Sequence, residues 1–470
     1  MASLHDLSAL EQARAIARRE VSSLELANHY LERSDQLDAT VGAFAIRTPD
    51  QARAQAAQAD DQRDRVGLSP LHGVVIPPKD LDSWAGVECR LGSAAFHFIP
   101  EFDDHVVTRM KEAAFVFTGK TNTPEFGLPS YTEPDVAPPA RTPFDLSRTA
   151  GGSSGGAATA VASGLAAAAV GSDGGGSIRI PASCCGLVGL KPSRGRVSNG
   201  PAGEGLGELG VHGPITRTVS DAAAILDVLS KPSVGDPYVA PRLARGSSFL
   251  QATLTPPDRL RIGRFATPII VDVSVDPEVL PAYESASTLL ESLGHDVVDM
   301  AVPFPADIFS YFEILWSSLT GAAQFDDEQF EKLRPLTRWL YGKGQEVSGA
   351  QLARTVSSLR TIARDALQKM SAYDVILTPT LAQLPPLIGA MRNDEDPAAD
   401  FAAQCAFTPF TSPFNMTGQP AISVPLHWTD AGLPVGIQLV GRLFDEYTLI
   451  ALAAQLETAQ PWLHRHPEIW

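Results

Sequence analysis

Cysteine is scarce in this chain of 470 residues, which has four: Cys89, Cys184, Cys185 and Cys405. Adjacent Cys184 and Cys185 make a poor disulfide pair, and no two cysteines have the C-x-x-C spacing. The ten histidines are scattered, with no H-E-x-x-H. The sequence therefore predicts neither a disulfide framework nor a metal site. A reduced protein of the cytoplasm fits this cysteine usage best.

Excess positive charge and long apolar runs are also missing. Lys and Arg number 37 against 54 Asp and Glu, a formal net charge of −17, so we predict no nucleic-acid partner and no anionic membrane partner. The most apolar run, 165–170, is far shorter than a membrane span. The N-terminal residues lack the apolar core of a signal peptide. The composition, 44% apolar and 19% charged, is typical of a soluble globular protein.

The first part of the chain has helical patterns. Within residues 1–65, Ser8 precedes Glu11 by three positions and Ser22 precedes Glu25 by three, which is the spacing of a capping box. These two pairs predict that helices begin just after Ser8 and Ser22.

Beyond this helical part, short apolar runs alternate with helical segments through 66–232. This alternation predicts an α/β fold, with a central mixed β-sheet covered by helices on both faces. Residues 303–372 form a further helical segment rich in aromatic residues, which either packs on itself or walls a substrate pocket. No long polar linker and no internal repeat interrupts the chain, so we expect one domain over 1–470.

Two glycine–serine clusters flank a run of small apolar residues within 150–189. Ser153 lies in the first cluster and Ser177 ends the second, and 177 − 153 gives a spacing of 24. Such clusters are often flexible linkers. Because the residues between them are apolar, we instead predict a loop, a helix near 155–164, a buried strand near 165–171 and a helix that begins at about Ser177. A serine there has its hydroxyl near the positive end of a helix dipole.

An acyl-transfer site needs a nucleophile, a base and oxyanion donors. Ser177 and the unobstructed amides of 174–176 are candidates for the nucleophile and the donors. Lys79 is a candidate base because it ends the apolar segment VVIPPK, and burial lowers the pKa of a lysine. Taken alone, Lys79 is also compatible with a surface lysine or with one paired to Asp80.

Residues 151–198, GGSSGGAATAVASGLAAAAVGSDGGGSIRIPASCCGLVGLKPSRGRVS, resemble the amidase signature family. The segments HGVVIPPKDL, GKTNTPEFG, GPITRTVSD, YDVILTPT and PFNMTGQPAISVP extend the resemblance over nearly the whole chain. The resemblance implies the amidase signature fold and an amidohydrolase that cleaves C–N amide bonds through a serine acyl-enzyme. It implies no cofactor and no metal.

By position, the family's catalytic triad falls on Lys79, Ser153 and Ser177. The resemblance implies that Ser177 is the nucleophile, that Ser153 is a bridging serine after a cis peptide bond, and that Lys79 is the general base acting through Ser153. The oxyanion donors would be the backbone N–H groups of Gly174, Gly175, Gly176 and Ser177.

Two departures from the family's usual pattern bear on the substrate. Pro77 and Pro78 precede Lys79 where small apolar residues are usual, and Phe144 replaces the usual tryptophan in the loop 136–145, near the family's substrate entrance. We expect a small apolar or aryl amide as substrate, with carbamate (urethane) or ester cleavage open to the same chemistry. Three aromatic residues are candidates for substrate contact: Phe126, Tyr131 and Trp316.

Two other functions stay open at this point. Residues 151–155 also fit G-x-S-x-G, the nucleophile elbow of α/β-hydrolases, which would make Ser153 the nucleophile of an esterase. The second is the A-type subunit of a tRNA-dependent amidotransferase, which works with protein partners. As a free-standing enzyme acting on a small molecule, the chain is expected to be a monomer or a homodimer.

Overall fold

An eight-stranded β-sheet is the largest element of the computed structural model, which describes residues 3–201 and 207–470. The strands of these residues are β1 (Phe44–Arg47), β2 (Gly119–Thr121), β3 (Ala168–Asp173), β4 (Val188–Lys191), β5 (Val211–Thr216), β6 (Arg261–Arg264), β7 (Asp296–Asp299), β8 (Val375–Pro379), β9 (Ala421–Trp428) and β10 (Pro434–Gly441).

The helices surround this sheet and make up much of the chain. Those of the described residues are α1 (Ala9–Ala17), α2 (Ser23–Val41), α3 (Pro49–Gln62), α4 (His105–Glu112), α5 (Gly155–Ala162), α6 (Arg179–Cys184), α7 (Val219–Leu229), α8 (Phe249–Ala252), α9 (Val279–Ser292), α10 (Ile308–Gly321), α11 (Asp327–Lys332), α12 (Pro335–Gln345), α13 (Gly349–Met370), α14 (Pro397–Phe407), α15 (Pro413–Thr417) and α16 (Glu446–Ala459).

The strand order of the large sheet is β3-β5-β4-β9-β10-β8-β6-β7. Neighbours are antiparallel from β3 as far as β8, and β8, β6 and β7 are parallel. The sheet is therefore mixed, and the predicted α/β fold of one domain is confirmed. Strands β4, β8 and β10 are buried along their whole length and are mostly apolar.

Both predicted capping boxes are present at the N-terminus. The Ser8 hydroxyl accepts from the amide of Glu11, the Ser22 hydroxyl accepts from the amide of Glu25, and each glutamate carboxylate accepts from its serine amide in return. The expectation that 1–65 is wholly helical is wrong, because β1 lies between α2 and α3. β1 pairs with β2 in a separate two-stranded sheet. Its four residues are too few for a periodic pattern to be visible in the sequence.

The region of the two glycine–serine clusters folds nearly as predicted. Helix α5 follows the first cluster, strand β3 begins three residues later than expected at Ala168, and α6 begins at Arg179 rather than at Ser177. Helix α5 consists of small residues and is buried along its whole length, so its backbone packs close to the sheet. No helix within residues 3–201 or 207–470 is long and apolar enough to cross a membrane.

Candidate active site

Lys79 lies at the centre of the site, in an extended segment between β2 and β3. The carbonyl of Pro78 accepts from the amide of Thr121 in β2 at 2.9 Å, and that of Pro77 accepts from the amide of Val170 in β3 at 3.3 Å. The two prolines therefore contribute carbonyl acceptors to both neighbouring strands. The Lys79 side chain is fully buried, so of the alternatives left open by the sequence a surface lysine is wrong.

The amine of Lys79 contacts three serine hydroxyls. Its Nζ lies 2.8 Å from Ser153 Oγ, 3.0 Å from Ser154 Oγ and 3.2 Å from Ser172 Oγ. The proton of the Ser154 hydroxyl is donated to the carbonyl of Ser172 at 3.2 Å, so Ser154 serves as an acceptor toward the amine. Burial lowers the pKa of Lys79 from its usual 10.5 to about 7, and the nearby carboxylates of Asp82 and Asp173 oppose this shift.

Ser153 and Ser177 come from different elements that meet in space. The peptide bond between Gly152 and Ser153 is cis, and Ser154 leads into α5. The amide of Ser154 donates to the main-chain carbonyl of Ser177 at 3.2 Å, which connects the loop before α6 to the segment that contains Ser153. The two hydroxyls of Ser153 and Ser177 are not hydrogen-bonded to each other in this arrangement of the described residues.

Asp173, the last residue of β3, organises the loop that carries Ser177. Its carboxylate accepts from the amides of Gly176 at 2.8 Å and Ile178 at 3.2 Å, and it forms a fully buried ion pair with Arg179. Burial alone would raise the pKa of Asp173, but Arg179 holds that pKa well below its usual range. On the other side of the loop, the Thr411 hydroxyl donates to the carbonyl of Gly175 at 2.6 Å.

These contacts narrow the predicted set of oxyanion donors. The amide of Gly176 points at Asp173, so the structure differs from the expectation that Gly176 is a free donor. The amides of Gly174, Gly175 and Ser177 have no acceptor among the described residues. Gly176 also has φ +136°, and an added Cβ would lie 2.4 Å from Thr411 Oγ1, so this position requires glycine.

Two further acidic residues, Asp80 and Asp82, follow Lys79 closely in the chain. Asp80 forms a fully buried ion pair with Lys120 at 2.8 Å. Asp82 lies 2.9 Å from His212 Nε2, and burial and the charge of His212 act in opposite directions on Asp82, with the net effect that its pKa is lowered. Asp82 and Asp173 were not predicted from the sequence, although Asp173 stands directly before the glycine loop and Asp82 directly follows the lysine segment. His212 was considered only as a histidine that an esterase elbow could use.

Ser177 opens into a narrow cavity of about 50 Å³, here called the nucleophile cavity. Its apolar wall includes Leu128, Phe312 and Trp316, and its polar wall includes the Ser130 and Ser412 hydroxyls. Both hydroxyls are buried and without a hydrogen-bond partner in the described part of the chain. An added Cβ at Gly174 would lie 3.5 Å from the Trp316 ring, so the indole lies against the oxyanion loop.

A larger cavity of about 420 Å³, here called the aromatic cavity, adjoins the first. The two share Leu128 and Trp316, and the aromatic cavity is otherwise lined by residues that include Phe96, Phe126 and Phe325. The ring centroid of Phe126 lies 5.5 Å from that of Phe96 and 5.9 Å from that of Phe325. Helix α10, in the predicted 303–372 segment, contributes to the walls of both cavities.

Two expectations about the substrate pocket differ from the structure. Tyr131 is fully buried and its hydroxyl donates to Asp400 at 2.7 Å, so it lines neither cavity described above. It packs behind Gly152, where an added Cβ would lie 2.7 Å from the Tyr131 amide. Phe144 lies instead beside Gly186 in a pocket that also contains Trp462, away from both cavities.

Known proteins are similar to this chain over nearly its whole length. The family model for Amidase matches residues 25–450. AmiB2 of Mycobacterium tuberculosis, which is named as an amidase, is 38% identical over 466 residues, which cover 98% of this chain and 98% of the relative. The chain belongs to the amidase signature family.

Solved structures of amidase signature enzymes share its fold. The structure of 6-aminohexanoate cyclic dimer hydrolase has a TM-score of 0.91 and 31% identity over 100% of both chains. The structure of a bacterial aryl acylamidase of the same family has a TM-score of 0.86 and 26% identity over 98% of both chains. The resemblance found in the sequence is confirmed, and the protein is a hydrolase that acts on amides.

Proposed function

We propose that this enzyme cleaves the C–N bond of small, uncharged apolar or aryl amides through a serine acyl-enzyme. Ser177 is the nucleophile, Ser153 the proton bridge and Lys79 the general base. The observation that carries the proposal is the fully buried Lys79 amine 2.8 Å from the Ser153 hydroxyl. A buried lysine that contacts hydroxyl groups and has a pKa of about 7 is half neutral near neutral pH and accepts a proton there.

The proton path follows from the contacts of Lys79. The Ser154 hydroxyl donates its proton to the Ser172 carbonyl, and Ser172 Oγ lies farther from the amine, at 3.2 Å. Ser153, at 2.8 Å, is therefore the hydroxyl best positioned to give its proton to the neutral amine. Ser153 then accepts the proton of Ser177, whose hydroxyl turns toward Ser153 as the substrate enters. Hydrogen bonds of catalytic groups commonly tighten only in the substrate complex.

The chemical step is an acyl transfer. Ser177 Oγ forms a bond to the substrate carbonyl carbon, and the carbonyl oxygen becomes an oxyanion held by the amides of Gly174, Gly175 and Ser177. The proton taken up by Lys79 returns through Ser153 to the leaving amine as the C–N bond breaks. Water then attacks the acyl-enzyme with the same lysine as base, which regenerates Ser177 and releases the acid.

Uncharged walls support an uncharged substrate. No ionised side chain is among the described residues that line the nucleophile cavity or the aromatic cavity. We propose that the reacting amide binds beside Ser177 and that its apolar arm extends past Trp316 toward Phe126. Carbamates and esters carry the same carbonyl group. We expect the enzyme to cleave them too, at rates that depend on the leaving group.

Two observations weigh against the two alternative functions. A glutamine donor for a tRNA-dependent amidotransferase carries an ammonium and a carboxylate, and neither cavity offers a counter-charge within the described residues. An esterase elbow needs a histidine next to its serine, whereas the Ser153 hydroxyl contacts a lysine.

The test is turnover and covalent labelling of matched serine variants. Wild-type enzyme should hydrolyse members of a panel of p-nitroanilides, aryl esters and aryl carbamates and should react with a fluorophosphonate. Ser177→Ala should lose turnover and labelling together, and Ser153→Ala and Lys79→Met should lose most turnover. Ser163→Ala, which removes a buried hydroxyl outside the site, serves as the control. Labelling of Ser177→Ala at the wild-type rate would refute the assignment of the nucleophile.

We also propose that the enzyme acts in the cytoplasm as a monomer or homodimer. All four cysteines are unpaired and buried, which supports a reducing compartment. Sedimentation of the purified enzyme distinguishes the two oligomeric states, and a stable larger assembly would contradict both.

A further inference from the structure

We propose that Asp82 and His212 act together as positioning residues for Lys79. The Asp82 carboxylate anchors the backbone of the lysine, and His212 cancels the negative charge that this anchor brings close to the amine. The inference rests on the proposed role of Lys79 as general base, and it assigns a function to two buried ionisable groups that the proposed mechanism does not use.

The geometry shows how Asp82 links the lysine to the histidine. One carboxylate oxygen, Oδ2, accepts from the main-chain amide of Lys79 at 3.3 Å. The other, Oδ1, lies 2.9 Å from His212 Nε2. Only 3% of the Asp82 side chain and 15% of the His212 side chain are exposed, so water screens this pair weakly.

The second ring nitrogen of His212 indicates that the ring is protonated. His212 Nδ1 lies 3.0 Å from Asn199 Oδ1, and the amide nitrogen of Asn199 donates to the carbonyl of Gly210 at 3.0 Å, which fixes the orientation of that amide. Both ring nitrogens therefore face oxygen acceptors. Only an imidazolium carries two N–H donors, so the contacts of His212 favour the charged form.

Of the other charged groups near Lys79 and its partners, Asp173 and Lys120 are paired with an opposite charge, and Asp104 accepts from the amide of Ser83. Asp173 of β3, which faces the lysine, is bound to Arg179. Lys120 of β2, which faces Asp82, is bound to Asp80. These partners keep their charges through the neutral range, because an arginine is effectively always protonated and the carboxylate of Asp80 raises the pKa of Lys120 against the effect of burial.

The charge of His212 depends on its carboxylate neighbours. Burial alone would lower its pKa, but the Asp82 carboxylate, helped by Asp104 at the start of α4, raises the pKa above its usual value. If the histidine charge is lost, Asp82 becomes an uncompensated anion beside Lys79. An uncompensated anion near the Lys79 amine stabilises the protonated form of the amine, and that form cannot accept a proton from Ser153.

The test is the pH dependence of kcat/KM, from pH 5.5 to 9.5, for the best substrate of the panel. His212→Gln should move the acidic limb of the profile up by about one pH unit, and Asp82→Asn should move it down by a similar amount. The double variant Asp82→Asn/His212→Gln should return the limb close to the wild-type position. His212→Lys keeps the positive charge and should hold the acidic limb near its wild-type position. This variant tests the role of the charge even if Asp82→Asn does not fold.

Opposite shifts are the result that a merely structural role would not give. His295→Gln, which alters a buried histidine bonded to Leu260 and Gln455, is the control and should leave the limb unmoved. If His212→Gln leaves the limb in place, or moves it in the direction opposite to that expected, the inference is wrong. Turnover by Ser177→Ala would instead refute the proposed function, so the two failures are distinguishable.

Discussion

Replacing Lys79 with methionine should abolish turnover and also change how the stability of the fold depends on pH. The lysine is fully buried, and its pKa falls from 10.5 to about 7 in the folded chain. Between these two values the unfolded chain binds a proton that the folded chain does not. The free energy of unfolding of the wild type therefore rises with pH through this window, and methionine, which does not titrate, removes that contribution.

The magnitude follows from the two pKa values. With 10.5 for the unfolded and about 7 for the folded state, the linkage relation gives a contribution that changes by about 2 kcal/mol between pH 7 and pH 9. The three hydroxyls that lose the amine as a partner lower the stability of the variant by an amount that is independent of pH in this range. The pH-dependent difference is therefore attributable to the lysine.

The assay is urea denaturation of wild type and Lys79→Met at pH 7, 8 and 9. Relative to the wild type, Lys79→Met should be most stable at pH 7. Its free energy of unfolding minus that of the wild type should be about 2 kcal/mol lower at pH 9 than at pH 7. Lys231→Met, at an exposed position, is the control and should track the wild type at all three pH values. A difference between wild type and Lys79→Met that stays constant from pH 7 to 9 would refute the reasoning that burial deprotonates this lysine.

Two further predictions concern the loop that carries the nucleophile. Asp173→Asn removes the counter-charge of a fully buried arginine, so denaturation should show a loss of about 3–5 kcal/mol; the exposed Asp64→Asn should cost far less, and equal losses would contradict the argument. Gly176→Ala places a Cβ 2.4 Å from Thr411 Oγ1 at a positive φ, so kcat should fall by at least tenfold, with labelling by a fluorophosphonate slowed in parallel. Gly342→Ala, which meets open space in α12, is its matched control, and similar kinetics for the two variants would show that the loop tolerates the added atom.

The sequence predicted the fold because local signals and the family resemblance pointed the same way. Ser8 and Ser22 marked two helix starts that the structure contains. β1 could not be found this way. Its four residues become a strand because β2, more than 70 positions away in the chain, supplies the hydrogen-bond partners.

The structure brings the residues carried by a motif close together, whereas a candidate chosen by residue type alone lies outside both cavities. Lys79, Ser153 and Ser177 lie in the matched segments. Tyr131 was a candidate because it is aromatic. In the structure its backbone lies against Gly152 and its hydroxyl donates to Asp400. An aromatic residue gives the same sequence signal in a core as in a pocket wall, so the distinction needs coordinates.

Lys79 differs from the other buried charged groups around it in the kind of partner it has. Asp80, Asp82 and Asp173 are each paired with a cation, at distances of 2.8 to 2.9 Å. The described partners of the Lys79 amine are hydroxyl groups, which do not stabilise the ammonium form as a carboxylate would. Because the nearby anions are compensated by their own partners, desolvation dominates at Lys79 and its neutral form becomes accessible. Any substitution that leaves one of these three carboxylates without its partner should therefore raise the pKa of Lys79. Less of the lysine is then neutral near pH 7 and able to accept the proton of Ser153, even where the substituted residue does not touch the lysine.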